Sequence, residues 1–231
     1  MQFNLEAVLL ALPVLLLSLT AHEFAHAWVA LRQGDDTAYR QGRVTMNPAA
    51  HVDIIGTLVF PALAIGGGMP LLGWAKPVPT DPRKYRSYKR DDILVSVAGV
   101  CANAILALLF AILALLVALA ARQATGAAFD TLEIAFRMMV WGVLGNLGLI
   151  LFNLLPIPPL DGSHVMYHML PPDAANSYRQ LYPYGFILLW ALVLTNALDF
   201  LWPVIMYPAG LLLAPALAFA PPALTVMLFG A

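Results

Sequence analysis

The sequence predicts an all-α polytopic membrane protein, a single domain over residues 1–231, and three observations carry that prediction. The chain is 61% hydrophobic and 11% charged with a mean hydropathy of +0.79, whereas soluble domains are about half apolar and about a quarter charged. Apolar runs long enough for spanning helices recur, about five to six in all. Between them, residues 54–72 and 153–162 are punctuated by proline and glycine, which marks a re-entrant or broken segment and an extended one. The net charge of −1 and the lack of a long basic run argue against nucleic acid as a partner. One cysteine, Cys101, excludes an intrachain disulfide and a cysteine-type zinc site.

Residues 5–31 form the first span, uncharged apart from Glu6 and Glu23. Pro13 is expected to kink it, which neighbouring helices make tolerable. A cleaved signal peptide is not expected, because no basic region precedes the apolar run and cleavage would fall near its polar motif. That motif is His22-Glu23-Phe24-Ala25-His26. Residues four apart return to one helix face about 6 Å further along, so His22 and His26 can aim ring nitrogens at one ion. Glu23, roughly 100° round the helix, stands beside that ion without being a ligand. Two imidazoles and a carboxylate at membrane depth cost several kcal/mol unless paired or metal-bound. A hydrogen-bonded polar pair between helices is the plainer reading of two histidines; the glutamate between them favours zinc.

Residues 32–52 read as a polar connection with one short hairpin and Gly, Asp and Asn-Pro turn signals. His51, at its end, is a candidate extra ligand weighed against a capping role. Residues 54–72 are apolar but carry Pro61, Gly66, Gly67, Gly68 and Pro70, which suits a re-entrant segment. Residues 73–92 hold Lys76, Arg83, Lys84, Arg86, Lys89 and Arg90, half of the twelve basic residues, and the positive-inside rule makes this loop cytoplasmic. Residues 93–121 form the second span, where Ser96, Gly99, Ala102 and Asn103 make a small-residue stripe and Asn103 an interhelix hydrogen bond.

Residues 132–152 form the third span, again with small residues at Gly142, Gly145 and Gly148. It runs into Asn-Leu-Leu-Pro-Ile-Pro-Pro-Leu-Asp-Gly, where three prolines end the helix. Non-helical backbone at membrane depth must be buried in protein or line a watery cavity. Asp161, aimed into such a cavity, is the best candidate for a third ligand, although Asp-Gly alone is a common turn. His164 and His168 repeat the four-residue spacing without a carboxylate between them, and gating or hydrogen bonding is expected of them. Residues 183–201 make a fourth span. Residues 204–229 make a last apolar stretch broken by Pro208, Pro215, Pro221 and Pro222.

Topology decides whether the ligands meet. If residues 54–72 are re-entrant, the His22 helix and the Asp161 helix end on one face, and nine of the twelve basic residues gather there. The site then lies a modest depth below the cytoplasmic surface of a multi-pass protein in the cell membrane.

These motifs in this order resemble the site-2 protease family of intramembrane zinc metalloproteases, peptidase family M50, in its small prokaryotic form without PDZ or CBS domains. The resemblance lies in His22-Glu23-x-x-His26, in GRVTMNPAAHVDIIGTL and GWAKPVPTDPRKYR, and in NLLPIPPLDG, and covers roughly the first three quarters of the chain. One departure is Val100 after Ala98-Gly99, where the related pattern reads Ala-Gly-Pro; it touches helix packing more than chemistry. The resemblance implies one zinc ion held by His22, His26 and Asp161, with Glu23 as catalytic acid/base and Asn153 near the bound peptide and its oxyanion. It implies regulated cleavage of single-pass transmembrane substrates, unwound at Gly-, Asn- or Pro-containing segments and paired against residues 154–160. The core would be residues 1–170, with 183–229 supplying a lateral gate. A divalent-metal transporter is the alternative, and would be expected to show repeated halves and ligands on several helices, which are not evident. A catalytically idle membrane scaffold is a third reading, disfavoured because every group needed for hydrolysis is present.

Overall fold

A chain this apolar must satisfy its backbone N–H and C=O groups internally, and helices do so locally. In the computed structural model, which describes residues 3–67 and 73–229 without the side chains of residues 226–229, the described residues contain helices and turns but no strand. Four helices are long and apolar enough to cross a membrane: Leu5–Arg32, Tyr88–Ala121, Ala127–Asn153 and Asp199–Phe219. The protein is therefore a multi-pass membrane protein.

Helix α1, Leu5–Arg32, starts at Asn4, whose side chain accepts from Ala7 N, and carries Pro13 inside it. Residues 32–52 form no hairpin. The connection folds into one helical turn, α2 (Thr37–Arg40), and a 3₁₀ turn at Pro48–Ala50 capped by Asn47. Its Asn and Asp side chains bond backbone N–H groups nearby, which favours caps over ladder pairing. A π-helical turn, Ile54–Val59, leads into α3, Phe60–Gly67. Gly68 and Pro70, part of the expected broken segment, lie outside the described residues.

The two ends of that segment are stitched together. Trp74 N donates to Gly56 O at 3.0 Å, Lys76 N to His51 O at 2.8 Å, and Thr57 Oγ1 to Trp74 O at 2.8 Å. At its far end Gly66 O accepts from Asn4 N at 2.7 Å. The flanking loops touch as well. Arg43, 8% exposed, donates to Lys76 O and Pro77 O, while Asp35, fully buried, accepts from Asp81 N at 2.6 Å. Lys84 bonds Asp36 and Thr37. Arg43, counted among the basic loop residues, is thus a clamp between loops.

Helices α4 (Tyr88–Ala121) and α5 (Ala127–Asn153) form the centre of the bundle with α1 and α9 (Trp202–Phe219). Along α4, Ala107, Ala111, Ala114, Ala118 and Ala121 recur at alternating spacings of four and three and are all buried. Leu108, Leu109, Ile112 and Leu116 on the same helix are exposed. Small residues inward and large ones outward is the pattern of helices that gain by close van der Waals packing against one another while lipid solvates the leucines. Phe110, Phe136, Val143, Ala209, Leu213 and Ala216 complete this core. Gly142 serves it: a Cβ there would run into the Phe110 ring.

After Asn153 the chain bends through turns rather than one extended run, with Ile157 N bonded to Leu155 O and Leu160 N to Ile157 O. Helix α6, Asp161–Met169, begins at the aspartate, and α7, Pro172–Arg179, follows. The expected fourth span, residues 183–201, is divided. Helix α8, Gly185–Leu194, stops where Asn196 takes φ 55°, a left-handed turn that asparagine tolerates. The span of sufficient length lies later, at Asp199–Phe219, running through Pro208 and Pro215. It ends before Pro221 and Pro222, and the last described residues form α10, Pro222–Phe229.

Candidate functional site

His22 and His26 lie one turn apart on the inward face of α1, both buried, with ring centroids 4.6 Å apart. Each ring is gripped at Nδ1 by an oxygen from α4. His22 Nδ1 lies 2.7 Å from Asn103 Oδ1, and His26 Nδ1 donates to Val95 O at 2.7 Å. Helix α4 comes this close because residue 99 is glycine; a Cβ there would lie 2.5 Å from His26 Nε2 and closer still to His22.

With Nδ1 engaged, both Nε2 atoms point at one spot, 3.0 Å from each other. Asp161, on the first turn of α6, brings Oδ2 to 3.3 Å from each of them. The helix N-terminus favours its negative charge. A Cβ at Gly162 would meet Leu155 O at 2.6 Å, so the glycine lets α6 sit tight against the preceding turns and sets where Asp161 points.

The Asp161 Oδ2 atom is buried and has no hydrogen-bond partner. Two ring nitrogens and one carboxylate oxygen therefore converge on one point, and a cation lying among them would satisfy all three. His22, His26 and Asp161 form a group with ligand atoms all within 4.8 Å of one another, and nitrogen and oxygen donors of this kind suit zinc. The residues fit a single divalent ion.

Glu23, partly buried, faces a different neighbour: its Oε2 accepts from Val78 N at 2.9 Å. The segment of residues 73–81 thus supplies a backbone N–H to the carboxylate. Asn153 ends α5 and donates to Leu149 O at 3.0 Å, within its own helix. His51 lies outside the donor group, its Nε2 bonded to Thr45 O at 2.9 Å. His164 and His168 face Asp92 of α4, with His168 Nε2 2.7 Å and His164 Nδ1 3.5 Å from Asp92 Oδ2. They tie α6 to α4 instead of joining the donors.

Beside the site an apolar cavity of about 580 Å³ opens between α1, α3, α5 and α9. Ser18, Leu19, Gly145, Gly148, Trp141 and Trp202 are among its walls. Gly145 and Gly148 have nothing within 4 Å of a Cβ position, so of the three expected packing glycines on α5 only Gly142 packs. Sequence reasoning missed Asn146, Asp92 and the Val78 amide. For Asn146 the signal was there: an amide inside an apolar span is functional by default.

No protein-family model matches the chain, and no solved structure matches it. Three relatives do. "Putative zinc metalloprotease YwhC" of Bacillus subtilis is 40% identical over 194 residues, 83% of this chain and 83% of its own length. "Putative zinc metalloprotease Rip2" of Mycolicibacterium smegmatis is 32% identical over 190 residues, 80% of this chain and 66% of its own length. The protein of the same name from Mycobacterium tuberculosis strain H37Rv is 31% identical over 186 residues, with the same coverage of 80% and 66%. Likeness across most of the chain, in a bundle that gathers two histidines and an aspartate at one point, leads to one assignment: the chain belongs to the zinc metalloprotease family that these relatives represent.

Proposed function

We propose that the protein is an intramembrane zinc endopeptidase of the site-2 protease type, in which His22, His26 and Asp161 hold one zinc ion and Glu23 moves the proton. The observation that carries the reading is the convergence of two imidazole nitrogens and a buried, partnerless carboxylate oxygen, beside a glutamate on the helix of the histidines. When bound, zinc with three protein ligands lowers the pKa of water to about 7 and polarises a carbonyl. Glu23 takes the proton from the attacking water and delivers it to the leaving amine, and the Val78 amide keeps its carboxylate in place meanwhile. Asn153, at the end of α5, is the residue proposed to face the peptide and its oxyanion; its Nδ2 rests on Leu149 O and must turn for that role.

Depth supports an intramembrane site. His22 lies about 15 Å along α1 from Arg32, at 1.5 Å per residue, and beyond it α4 presents Leu108, Leu109, Ile112 and Leu116 outward. The bonds that join residues 51–57 to 73–76, and those between residues 35–43 and 76–84, favour residues 54–72 as a re-entrant segment. On that topology the two basic loops share the cytoplasmic face and the site lies nearer to it.

Substrates on this reading are single-pass transmembrane proteins. A helix hides its scissile bonds, so a weak segment containing Gly, Asn or Pro must unwind and lie in the apolar cavity, reaching the donors past Ser18 and Leu19. Helices α8 and α9 form the lateral gate. Helix α8 also packs on the turns before Asp161, through Leu189 and Val193 against Leu160, so gate and site are in contact.

The test is reconstitution of purified protein with single-pass substrates, comparing wild type with Glu23→Gln. Both are expected to bind one zinc ion and only wild type to cleave. Cleavage by the variant at the wild-type rate, or metal flux without peptide products, would refute the reading.

A further inference from the structure

Three buried polar side chains have no role in the chemistry above: Ser18 of α1, Asn103 of α4 and Asn146 of α5, each at most 1% exposed. Amides buried so deeply are costly unless every hydrogen bond is made, and here the directions of those bonds can be worked out from the ends. Ser18 Oγ lies 2.9 Å from Val14 O, which can only accept, so the hydroxyl donates there. Asn146 Nδ2 lies 2.8 Å from Gly142 O, again an obligate acceptor, which fixes which end of the amide carries nitrogen. Its second hydrogen goes to Ser18 Oγ at 2.9 Å. Asn146 Oδ1 is then the acceptor for Asn103 Nδ2 at 2.8 Å, and that nitrogen also lies 3.4 Å from Ser18 O. What remains to Asn103 is Oδ1, 2.7 Å from His22 Nδ1. An amide oxygen has no hydrogen to give, so the proton in that contact sits on the imidazole.

We propose that Asn103 is a positioning residue for the metal centre: locked by Asn146 and Ser18, it holds His22 in the Nδ1–H tautomer that turns the Nε2 lone pair toward His26 and Asp161. The proposal rests on the zinc reading of that site and extends it to a relay across three helices. The opposite tautomer would aim a hydrogen at two acceptors and remove one ligand from the set. Hydrogen bonds of this kind, behind a ligating imidazole, fix its orientation and raise metal affinity. His26 takes the same tautomer from Val95 O, a backbone carbonyl that no side-chain substitution removes. His22 alone has its tautomer set by a side chain, so the two ligands respond differently to mutation.

The experiment uses the full chain in lipid nanodiscs, as wild type, Asn103→Leu and Asn146→Leu, with zinc affinity read by chelator competition and the ligand field read from the cobalt-substituted protein. Asn103→Leu is expected to bind zinc about 10- to 100-fold more weakly with an altered cobalt spectrum, and Asn146→Leu to shift both readouts the same way by less. In zinc-free wild type, ¹⁵N chemical shifts assigned through the loss of one signal set in His22→Ala are expected to show His22 protonated on Nδ1. That readout needs no folded Asn103 variant, and a merely structural asparagine would not move it. An Nε2–H tautomer in wild type, or zinc affinity within twofold of wild type in both leucine variants, would overturn the proposal while leaving the zinc reading standing. Wild type that binds no zinc would overturn both.

Discussion

Gly99 shows how much one missing methyl can decide. Its position opposite both imidazoles leaves no room for a Cβ, which would stand 2.5 Å from His26 Nε2 and 2.6 Å from His22 Nδ1. The neighbours cannot give way cheaply, because each ring is held at Nδ1 by α4 itself. Gly99→Ala is therefore expected to push α4 off α1 and to lower zinc content per chain at least tenfold at limiting zinc, as measured by atomic absorption after dialysis, on the scale at which outer hydrogen bonds act. Gly145→Ala is the control: nothing lies within 4 Å of its Cβ position, and zinc content should not change. In the sequence both are glycines in apolar runs. Spacing along α1 made the His22 and His26 face legible; the difference between the two glycines was not, because it depends on what stands opposite each.

At the scale of elements, α6 is a short helix whose position places Asp161 against the two histidines. Gly162 lets it rest against the carbonyls of residues 154 and 155, and Asp92 holds its other end through His168 and His164. Gly162→Ala is expected to displace Asp161 and abolish stoichiometric zinc binding while far-ultraviolet circular dichroism stays at the wild-type value, since the four long helices do not depend on it. The Leu-Asp-Gly motif pointed to Asp161, but it could not show why glycine must follow. The polar loops make a second element-level prediction. Lys84 first, then Arg40, hold the Asp36 carboxylate below its ordinary range. A carboxylate with a lowered folded-state pKa contributes stability above its unfolded value, near 3.9, and that contribution is lost as the pH falls through the lower folded value. The melting temperature of wild type should accordingly exceed that of Asp36→Asn at pH 7, with the difference disappearing as the pH is taken well below 3.9 and shrinking with added salt.

For the whole molecule, the alanine face of α4 is the packing surface that brings α5 and α9 in. Ala114 is fully buried, and Ala114→Leu is expected to cost about 1–3 kcal/mol by overpacking, read as a lowered denaturation midpoint in mixed micelles. Ile112→Ala, on an exposed position of the same helix, should change that midpoint by less than about 0.5 kcal/mol. The sequence by itself determined the membrane class, the approximate spans and the histidine face of α1, because apolar run length and helical period are local properties that lipid enforces residue by residue. Only the tertiary structure decided that residues 54–57 and 73–76 meet, that α8 stops short of a span, and that Asp161 reaches two histidines more than 130 positions earlier in the chain. Such meetings depend on which helix faces interlock and where the chain turns back, and that information is spread over many small side chains, none of which carries a signature alone.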